Sequence, residues 1–411
     1  MFARCTLLHR KLPKELNYEN LEITMEFLPT AKNSPTERCD ALFKLLDLKG
    51  SSHVQTAIIS DPKHVFYFTG FFTWRPRFSS FLLLRREKEP VLLVGSTRAE
   101  LAEKSFRGRV VDYNDYDVSE RMVSYADYVS REFVKFLNNE KVANEGSAIG
   151  IESWNLANEY ANALTQSRSL DISKVILEMR KTKGTDELEY ERKASKRLAV
   201  AYKTIKDHAL AGETELGLFA HANLAVFKNF DPLEYFEVSN VFGDFASGKR
   251  TFEGSGGPTR KKLVKGDLLI LDLQASCNHY WVDTCRTYIV GKKPTPEQER
   301  AFRVILKAKK NAEEILRPGT RASEVYKVAS NTITEAGYKP LHHHAGHGLG
   351  LDDQESPFFL PNSEEIIEEG DVCAVEPGVY DKSFGGMRVE DNYIITKDGF
   401  EKISKFPLGF P

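Results

Sequence analysis

The sequence lacks the features that mark several large classes of protein. Its five cysteines are an odd number, are widely spread and form no CxxC pair, so we expect neither a disulfide framework nor a thiolate zinc site. No stretch approaches the roughly 18 consecutive apolar residues of a membrane span. The opening MFARCTLLHRKLPKEL breaks its short apolar run with basic residues, unlike a secretory signal peptide. A soluble protein of the cytoplasm is therefore expected.

The chain also lacks an excess of charge of either sign. Its 57 Lys and Arg residues face 59 Asp and Glu residues, which leaves a formal net charge of -2. This balance gives no reason to expect a nucleic acid or an anionic membrane as partner. A small molecule or small peptide is the expected ligand.

The pattern along the chain predicts two domains. Residues 1–170 alternate short β-branched or aromatic runs with amphipathic helical segments, which indicates a smaller α/β domain. Residues 1–24 of this part are interpreted as a loose extension or an overlong start. A long helix that begins near Thr185 opens the second domain, residues 171–411, in which helices and strands mix as in α+β proteins. The boundary is predicted between Asp171 and Lys183.

Two aspartates interrupt apolar strands in the second domain. Asp272 lies in LLILDL and Asp283 lies in YWVDTCRTYIV. If the hairpin turns at Cys277 and Asn278, the two aspartates face each other directly. Paired residues of antiparallel strands have Cβ atoms about 5 Å apart, where like charges destabilise the pair. A positively charged group is therefore expected between these carboxylates.

Near the carboxyl terminus, two glutamates likewise lie beside or within predicted apolar strands. Glu376 precedes Pro377-Gly378, and Glu390 follows GGMRV in a predicted strand. Buried carboxylates need a counter-charge or must take up a proton. One interpretation is an ion-pair network with Arg286 and Arg388. Because two arginines cannot balance four acids, the favoured interpretation is that divalent cations bind among them.

His347 is the predicted fifth ligand. It stands between Gly346 and Gly348, so the backbone can approach closely and the imidazole can point inward. Four carboxylates and one imidazole suit two ions that share bridging ligands. Ligands rich in oxygen favour manganese, with cobalt, iron or zinc as alternatives. Two such ions about 4 Å apart activate water and polarise a carbonyl, which is hydrolytic chemistry.

The order of these residues, in the strings DLLILDLQ, YWVDTCRT, HHHAGHGLGL, AVEPGVY and GMRVEDNYIIT, resembles the creatinase/methionine aminopeptidase ("pita-bread") metallopeptidases. It is most similar to their Xaa-Pro dipeptidase (prolidase) and aminopeptidase P branch. The likeness extends over nearly the whole chain, since ISDPKHVFYFTGF looks like the accessory domain of that branch. It implies an α+β fold, namely a pita-bread catalytic domain preceded by a smaller α/β creatinase-type domain.

The resemblance also implies roles for individual residues. The five dinuclear metal ligands would be Asp272, Asp283, His347, Glu376 and Glu390. Glu376 would also act as the catalytic base for the water that bridges the metals. His343 and Arg388 would be catalytic residues that contact substrate. His342 and His344 are interpreted as exposed loop histidines.

Two positions depart from the pattern of the family. Where the family places histidines that hydrogen-bond the scissile amide, this chain has Ser255 and Gln354. Gln354 is predicted to take a catalytic role as an amide donor, and Ser255 is predicted to contact substrate. Loss of such a donor typically lowers the rate by about 10² to 10³-fold. A loop shift that moves Arg250 or a nearby histidine into the gap is an alternative.

Three functions are compatible with these residues. The favoured one is a dinuclear metallopeptidase that cleaves Xaa-Pro bonds of dipeptides or short peptides. The second is a pita-bread enzyme with a non-peptide substrate, either amidinohydrolase-like or a lyase, or a catalytically weakened homologue. The third is a binding protein without catalysis. The resemblance also implies a homodimer, for which a loop with Trp74 and Arg75 is a candidate contact to the partner's site.

Overall fold

A computed structural model describes residues 35–72, 79–116, 125–142, 148–152, 169–229 and 241–409 of the chain. The predictions for residues 1–24 and for the loop with Trp74 and Arg75 lie outside these residues. The amino-terminal part contains α1 (Pro35–Leu48), β1 (Val54–Ile59), α2 (Pro62–Thr69), β2 (Phe81–Arg85), β3 (Val91–Gly95), α3 (Ala99–Ser105), β4 (Arg109–Tyr113), α4 (Tyr125–Asn139), β5 (Ala148–Ile151) and β6 (Ser169–Asp171).

These strands form one six-stranded mixed sheet in the order β4-β3-β2-β1-β5-β6. β1 pairs antiparallel with β2 and parallel with β5. The run FLLL of β2 is buried throughout because alternate side chains enter two cores. Leu82 and Leu84 pack in a cluster with α1 and α2, whereas Phe81 and Leu83 pack in a cluster with α4. Helices thus cover both faces, and the predicted smaller α/β domain is confirmed.

The carboxy-terminal part contains α5 (Ser173–Lys181), α6 (Thr185–His208), α7 (Glu215–Lys228), β7 (Phe242–Ser247), β8 (Leu268–Cys277), β9 (Tyr280–Ile289), α8 (Pro296–Ile315), α9 (Ala322–Glu335), β10 (Val372–Val375), β11 (Gly378–Asp381), β12 (Gly385–Arg388), β13 (Asp391–Thr396) and β14 (Gly399–Lys402). The long helix α6 begins at the predicted Thr185. Its first turn is capped by the Glu187 carboxylate, which accepts a hydrogen bond of 2.6 Å from the Gly184 N–H.

The strands of this part form three small sheets, β7-β8-β9, β10-β13-β14 and β11-β12. Leu271 and Leu273 of β8 pack in a cluster with α6 and α7, and Val375 and Met387 pack in a second cluster with α8 and α9. The small sheets therefore lie between two pairs of helices. This mixture confirms the predicted α+β catalytic domain.

The predicted register of the β8–β9 hairpin is wrong by two residues. Asp272 lies opposite Cys285, and Asp283 lies opposite Gln274. The turn is formed by Asn278 and His279, whose φ angles are 47° and 71°, rather than by Cys277 and Asn278. Two-residue hairpin turns favour positive φ at both central positions, which asparagine tolerates well. A register shift of two residues leaves each side chain on the same face of the sheet, so both aspartates still point to one face.

A buried polar chain joins the two domains. His64 of α2 contacts the Glu152 carboxylate through Nδ1, and its Nε2 lies 2.8 Å from Nη1 of Arg180 on α5. The other guanidinium nitrogen, Nη2, donates to Asp352 and Glu355 at 2.7 Å each. Asp352 and Glu355 belong to the loop that follows His347. The amino-terminal domain is thereby held against the segment that carries a predicted metal ligand.

A second buried polar group lies where β13 begins. The Arg286 side chain is fully buried, and its Nη2 donates to Asp391 Oδ1 at 2.6 Å. It also donates to the Pro407 carbonyl at 2.8 Å and to the Glu390 carbonyl. Lys309 and Lys402 bind the other oxygen of Asp391. Arg286 therefore anchors the backbone beside Glu390.

Replacement of Arg286 by leucine should lower the free energy of unfolding by about 3 kcal/mol. The change removes hydrogen bonds to three carbonyls, those of Cys285, Glu390 and Pro407, and takes one of three cations from a buried carboxylate. Urea denaturation measures the effect. Arg303→Leu, at an exposed position of α8, is the matched control and should cost no more than about 0.5 kcal/mol. Equal losses in the two variants would contradict the anchoring role.

Candidate metal centre

Four strand-borne or strand-adjacent carboxylates point to one side of the β7-β8-β9 sheet. Asp272 and Asp283 leave β8 and β9 on the face opposite the leucines that pack against α6 and α7. Glu376 directly follows β10, and Glu390 directly precedes β13. Glu390 is held close because its N–H donates to the Cys285 carbonyl at 3.0 Å. The fold therefore collects residues from distant parts of the sequence.

The His347 segment is placed by backbone pairing with β10. The Ala374 N–H donates to the His347 carbonyl at 2.8 Å, and the Glu376 N–H donates to the Ala345 carbonyl at 2.9 Å. A Cβ atom at Gly346 would collide with the Ala374 carbonyl, so a side chain is excluded there. This pairing puts the His347 ring beside the Glu376 carboxylate.

The five predicted ligands meet in the core. His347 Nε2 lies 3.7 Å from Glu376 Oε1, 3.8 Å from Glu390 Oε1 and 3.9 Å from Asp283 Oδ2. Among these five residues, two groups of three have ligand atoms within 4.8 Å of one another, namely Asp283 with His347 and Glu390, and Asp272 with Glu376 and Glu390. Because Glu390 belongs to both groups, the arrangement suits two ions that share a carboxylate.

The carboxylate oxygens of this cluster fit a cation. Buried oxygens without a hydrogen-bond partner in the described protein occur at Asp272, Asp283 and Glu390. Burial, and then repulsion from Asp272, raises the pKa of Asp283 well above its usual range. Burial, and then repulsion from Asp283, does the same to the pKa of Glu390. Such groups are costly to ionise unless positive charge lies beside them, so divalent ions fit the donor set.

An arginine network does not supply that charge. Arg388 bonds to Asp272 and lies 3.7 Å from Glu376, but Arg286 is committed to Asp391 and to backbone carbonyls. Of these two arginines, Arg388 alone therefore faces the four carboxylates. The ion-pair interpretation therefore has one cation fewer than predicted. The excess of carboxylates over arginines, which favoured metal ions, is larger than the sequence indicated.

His343 and Arg388 are joined by a residue that the sequence did not single out. Arg388 Nη1 donates to the Tyr380 hydroxyl at 2.7 Å, and His343 Nε2 lies 3.1 Å from the same hydroxyl. His343 Nδ1 lies 2.7 Å from the His344 carbonyl, which makes this nitrogen the donor. Burial lowers the pKa of His343 to about 4. A neutral, hydrogen-bonded imidazole thus borders the carboxylates.

The interpretation of His344 as an exposed loop residue is wrong, whereas His342 is exposed as expected. His344 Nδ1 lies 2.7 Å from Glu376 Oε1, and the ring centre lies 5.2 Å from that of His347. Burial raises the pKa of Glu376, but His344, His343 and His347 outweigh it and lower that pKa to about 2. The sequence signal that could have found His344 is its position three residues before a ligand in a tight glycine-rich loop.

The two departures from the family pattern lie at different places. Ser255 is exposed and follows Gly254, whose Cβ position lies 3.4 Å from Arg388 Nη1. Gln354 is also exposed and lines a cavity of about 580 Å³ between the domains, together with His64 and Arg180. The structure thus sets the glycine before Ser255 beside Arg388, and it sets Gln354 in a cavity that also exposes part of the buried polar chain joining the domains.

Arg250 does not move into the gap. Its guanidinium binds the Glu215 carboxylate and donates to the Gly257 carbonyl at 3.0 Å. Glu215 is fully buried and also accepts from Ser247 and Thr259. The alternative in which Arg250 replaces a missing histidine is therefore contradicted by its structural role.

Addition of Mn²⁺ to the metal-free protein should raise its Tm, and the increase should be larger at about pH 8 than at about pH 5.5. Asp283 and Glu390 hold protons more tightly in the folded chain than in the unfolded one. The metal-free fold therefore loses stability as pH rises through their raised pKa values, while metal competes better for the carboxylates. Differential scanning calorimetry after chelator treatment measures this.

Glu390→Gln removes the shared carboxylate and should abolish most of the increase in Tm. Glu369→Gln, at an exposed loop position, is the matched control and should respond to Mn²⁺ like the parent protein. A metal response that is the same in both variants, or one that shrinks as pH rises, would contradict the ligand assignment.

None of the helices that the structure describes has the length and apolar character needed to cross a bilayer.

Comparison with known proteins matches both parts of the chain to families. Residues 38–182 match the creatinase/prolidase N-terminal domain, and residues 189–397 match metallopeptidase family M24. An Xaa-Pro dipeptidase of Pyrococcus furiosus is 28% identical over 371 residues, which cover 90% of this chain and 98% of that protein. An uncharacterised peptidase of Staphylococcus haemolyticus is 29% identical over 357 residues, which cover 85% of this chain and 94% of that protein.

Solved structures show the same relationship. The prolidase from Pyrococcus horikoshii OT3 superimposes with a TM-score of 0.76 at 27% identity, covering 90% of this chain and 99% of that one. The prolidase from Pyrococcus furiosus gives a TM-score of 0.73 at 26% identity, with 89% and 99% coverage. The chain therefore belongs to metallopeptidase family M24, and it carries the amino-terminal domain of creatinases and prolidases.

Proposed function

We propose that the protein hydrolyses Xaa-Pro bonds of dipeptides or short peptides and uses two divalent metal ions. The observation that carries the proposal is the pair of ligand groups that share Glu390, with buried carboxylate oxygens left without partners. The relatives named above as prolidases or Xaa-Pro dipeptidases match over nearly their whole length. They give no support to a non-peptide substrate.

Asp272, Asp283, His347, Glu376 and Glu390 would hold the ions. Bound divalent ions supply Lewis acidity, which lowers the pKa of water and polarises a peptide carbonyl. Because four of the five side chains offer oxygen, manganese is the proposed metal, with cobalt, iron or zinc as alternatives. The chain needs no thiolate for this role, and its cysteines at positions 39, 277, 285 and 373 are buried.

Glu376 is the proposed catalytic base. Its low pKa keeps the carboxylate ionised at neutral pH, so that it accepts a proton during attack and releases it to the leaving nitrogen. His344 contacts Oε1 and thereby orients the carboxylate. The proton is thus handled by a group whose position is set by a neighbouring imidazole.

Arg388, Tyr380 and His343 form the wall that would face the substrate. Their hydrogen bonds run from the guanidinium to the phenol and on to the imidazole, which fixes the orientation of all three side chains. A neutral His343 can contact an amide without the cost of burying a second positive charge beside Arg388. A small peptide substrate, a homodimer and a cytoplasmic location complete the proposal, and they rest on the sequence.

The decisive experiment combines metal analysis with peptide hydrolysis. The purified protein should bind about two Mn²⁺ per chain by mass spectrometric metal analysis and should cleave Ala-Pro and Gly-Pro. Glu376→Gln should lower kcat by about 10³-fold because it removes the proton acceptor, while Glu369→Gln should act like the parent. Metal binding without peptide turnover would favour the non-peptide alternative, and absence of metal binding would favour a protein without catalysis.

His344→Ala should lower kcat by about 10- to 100-fold with a small change in KM, because the orientation of Glu376 is lost while the substrate contacts remain. His344→Gln retains an N–H donor and should recover part of the loss. His342→Ala, at the exposed neighbouring histidine, is the control and should behave like the parent. If alanine at 342 and at 344 has the same effect on kcat, the positioning role of His344 is refuted.

A further inference from the structure

The structure brings a fifth acidic residue, Asp244, to the metal centre. β7 pairs antiparallel with β8, and the register sets Asp244 directly opposite Asp272. Opposed residues of antiparallel strands point to the same face with Cβ atoms about 5 Å apart. The direct partner of Asp272 among the acids is thus Asp244, whereas the sequence had predicted Asp283.

Asp244 borders the wall that contains Arg388. The Gly256 N–H donates to Asp244 Oδ1 at 2.8 Å, and two residues earlier Gly254 packs against Tyr380 and Arg388. The side chain is half-buried. Its carboxylate therefore sits at the edge of the centre, next to the exposed Ser255.

Arg388 and Arg250 attract the charge of Asp244 from nearby, but each guanidinium is bound to another carboxylate. Arg388 bonds to Asp272, and Arg250 bonds to Glu215. Within the part of the chain that the structure describes, no lysine, arginine or histidine forms a salt bridge with Asp244. It also lies outside the groups of carboxylates close enough to share an ion. Two divalent ions would balance the four carboxylate ligands and leave Asp244 as added negative charge.

A purely structural role does not require that charge. The hydrogen bond from Gly256 needs an acceptor oxygen, which the amide of asparagine also provides. A like charge directly across the strand pair from Asp272 is unfavourable. An aspartate at this position gains from its charge when a positive group binds beside it.

We propose that Asp244 forms an ammonium-binding subsite at the metal centre and selects substrates that carry a positive group at this wall. The inference rests on the proposed function and deepens it by naming the substrate class. The ammonium belongs either to the α-amino group of the peptide or to a lysine side chain, and the two sources differ in their response to substitution.

The test compares Lys-Pro with norleucyl-proline, which has the same length of side chain without the ammonium group. KM and kcat are measured for the Mn²⁺-loaded protein and for Asp244→Asn, and N-acetylated forms of both peptides are measured as inhibitors. If Asp244 binds the ammonium of the lysine side chain, Asp244→Asn should raise KM for Lys-Pro alone, by about tenfold. If Asp244 binds the α-amino group, Asp244→Asn should raise KM by about tenfold for both peptides. It should leave Ki unchanged for the acetylated forms.

Further variants separate charge from structure. Asp244→Glu keeps the charge and should keep most of the preference, while Asp398→Asn, in an exposed turn between β13 and β14, controls for the loss of one negative charge. Equal KM values for each peptide in the parent and in Asp244→Asn would overturn the subsite while leaving the proposed function intact.

Failure of the proposed function has a different signature. If no peptide is cleaved, calorimetric Kd values for Lys-Pro decide the question. Binding about tenfold weaker in Asp244→Asn than in the parent supports the subsite, and equal binding overturns it.

Discussion

The structure depends on the cost of burying four carboxylates in one core. Asp272, Asp283, Glu376 and Glu390 lie close together, and within the described ranges one guanidinium, that of Arg388, lies against them. Burial, together with repulsion from the neighbouring carboxylates, raises the pKa of two of these groups, Asp283 and Glu390, well above the usual range. A fold that retains such an arrangement needs positive charge at its centre, because unpaired buried charges cost more than a domain of this size can offset.

The surrounding elements hold these carboxylates in place without neutralising them. The β8–β9 hairpin presents two of them on one face, and pairing between β10 and the His347 segment brings Glu376 to the imidazole. Arg286 and Asp391 anchor the backbone beside Glu390. These supports resist the repulsion between the acids. They also explain why Arg286, which could have balanced the negative charge of the centre, instead binds Asp391 and backbone carbonyls.

Agreement between the sequence and the structure was high for residues whose chemistry conflicts with their surroundings. An aspartate inside LLILDL is conspicuous because strands of this kind are apolar, and a histidine between two glycines is conspicuous because the backbone there can approach closely. The register of the β8–β9 hairpin was harder to predict from the sequence. The positive φ angles of Asn278 and His279 depend on how the strands meet, and the predicted turn was displaced by one position, so the opposed pair was misassigned.

His344 and Asp244 illustrate what a linear pattern omits. His344 looked like a solvated loop residue, yet the loop folds so that its ring meets Glu376. The sequence analysis did not single out Asp244, yet its partner in β8 is Asp272.

By itself the sequence determined the α/β and α+β classes of the two domains and the family, and it predicted the five residues suited to metal. The tertiary structure decided which charges face each other, because spatial register and loop packing join residues that are far apart in the chain.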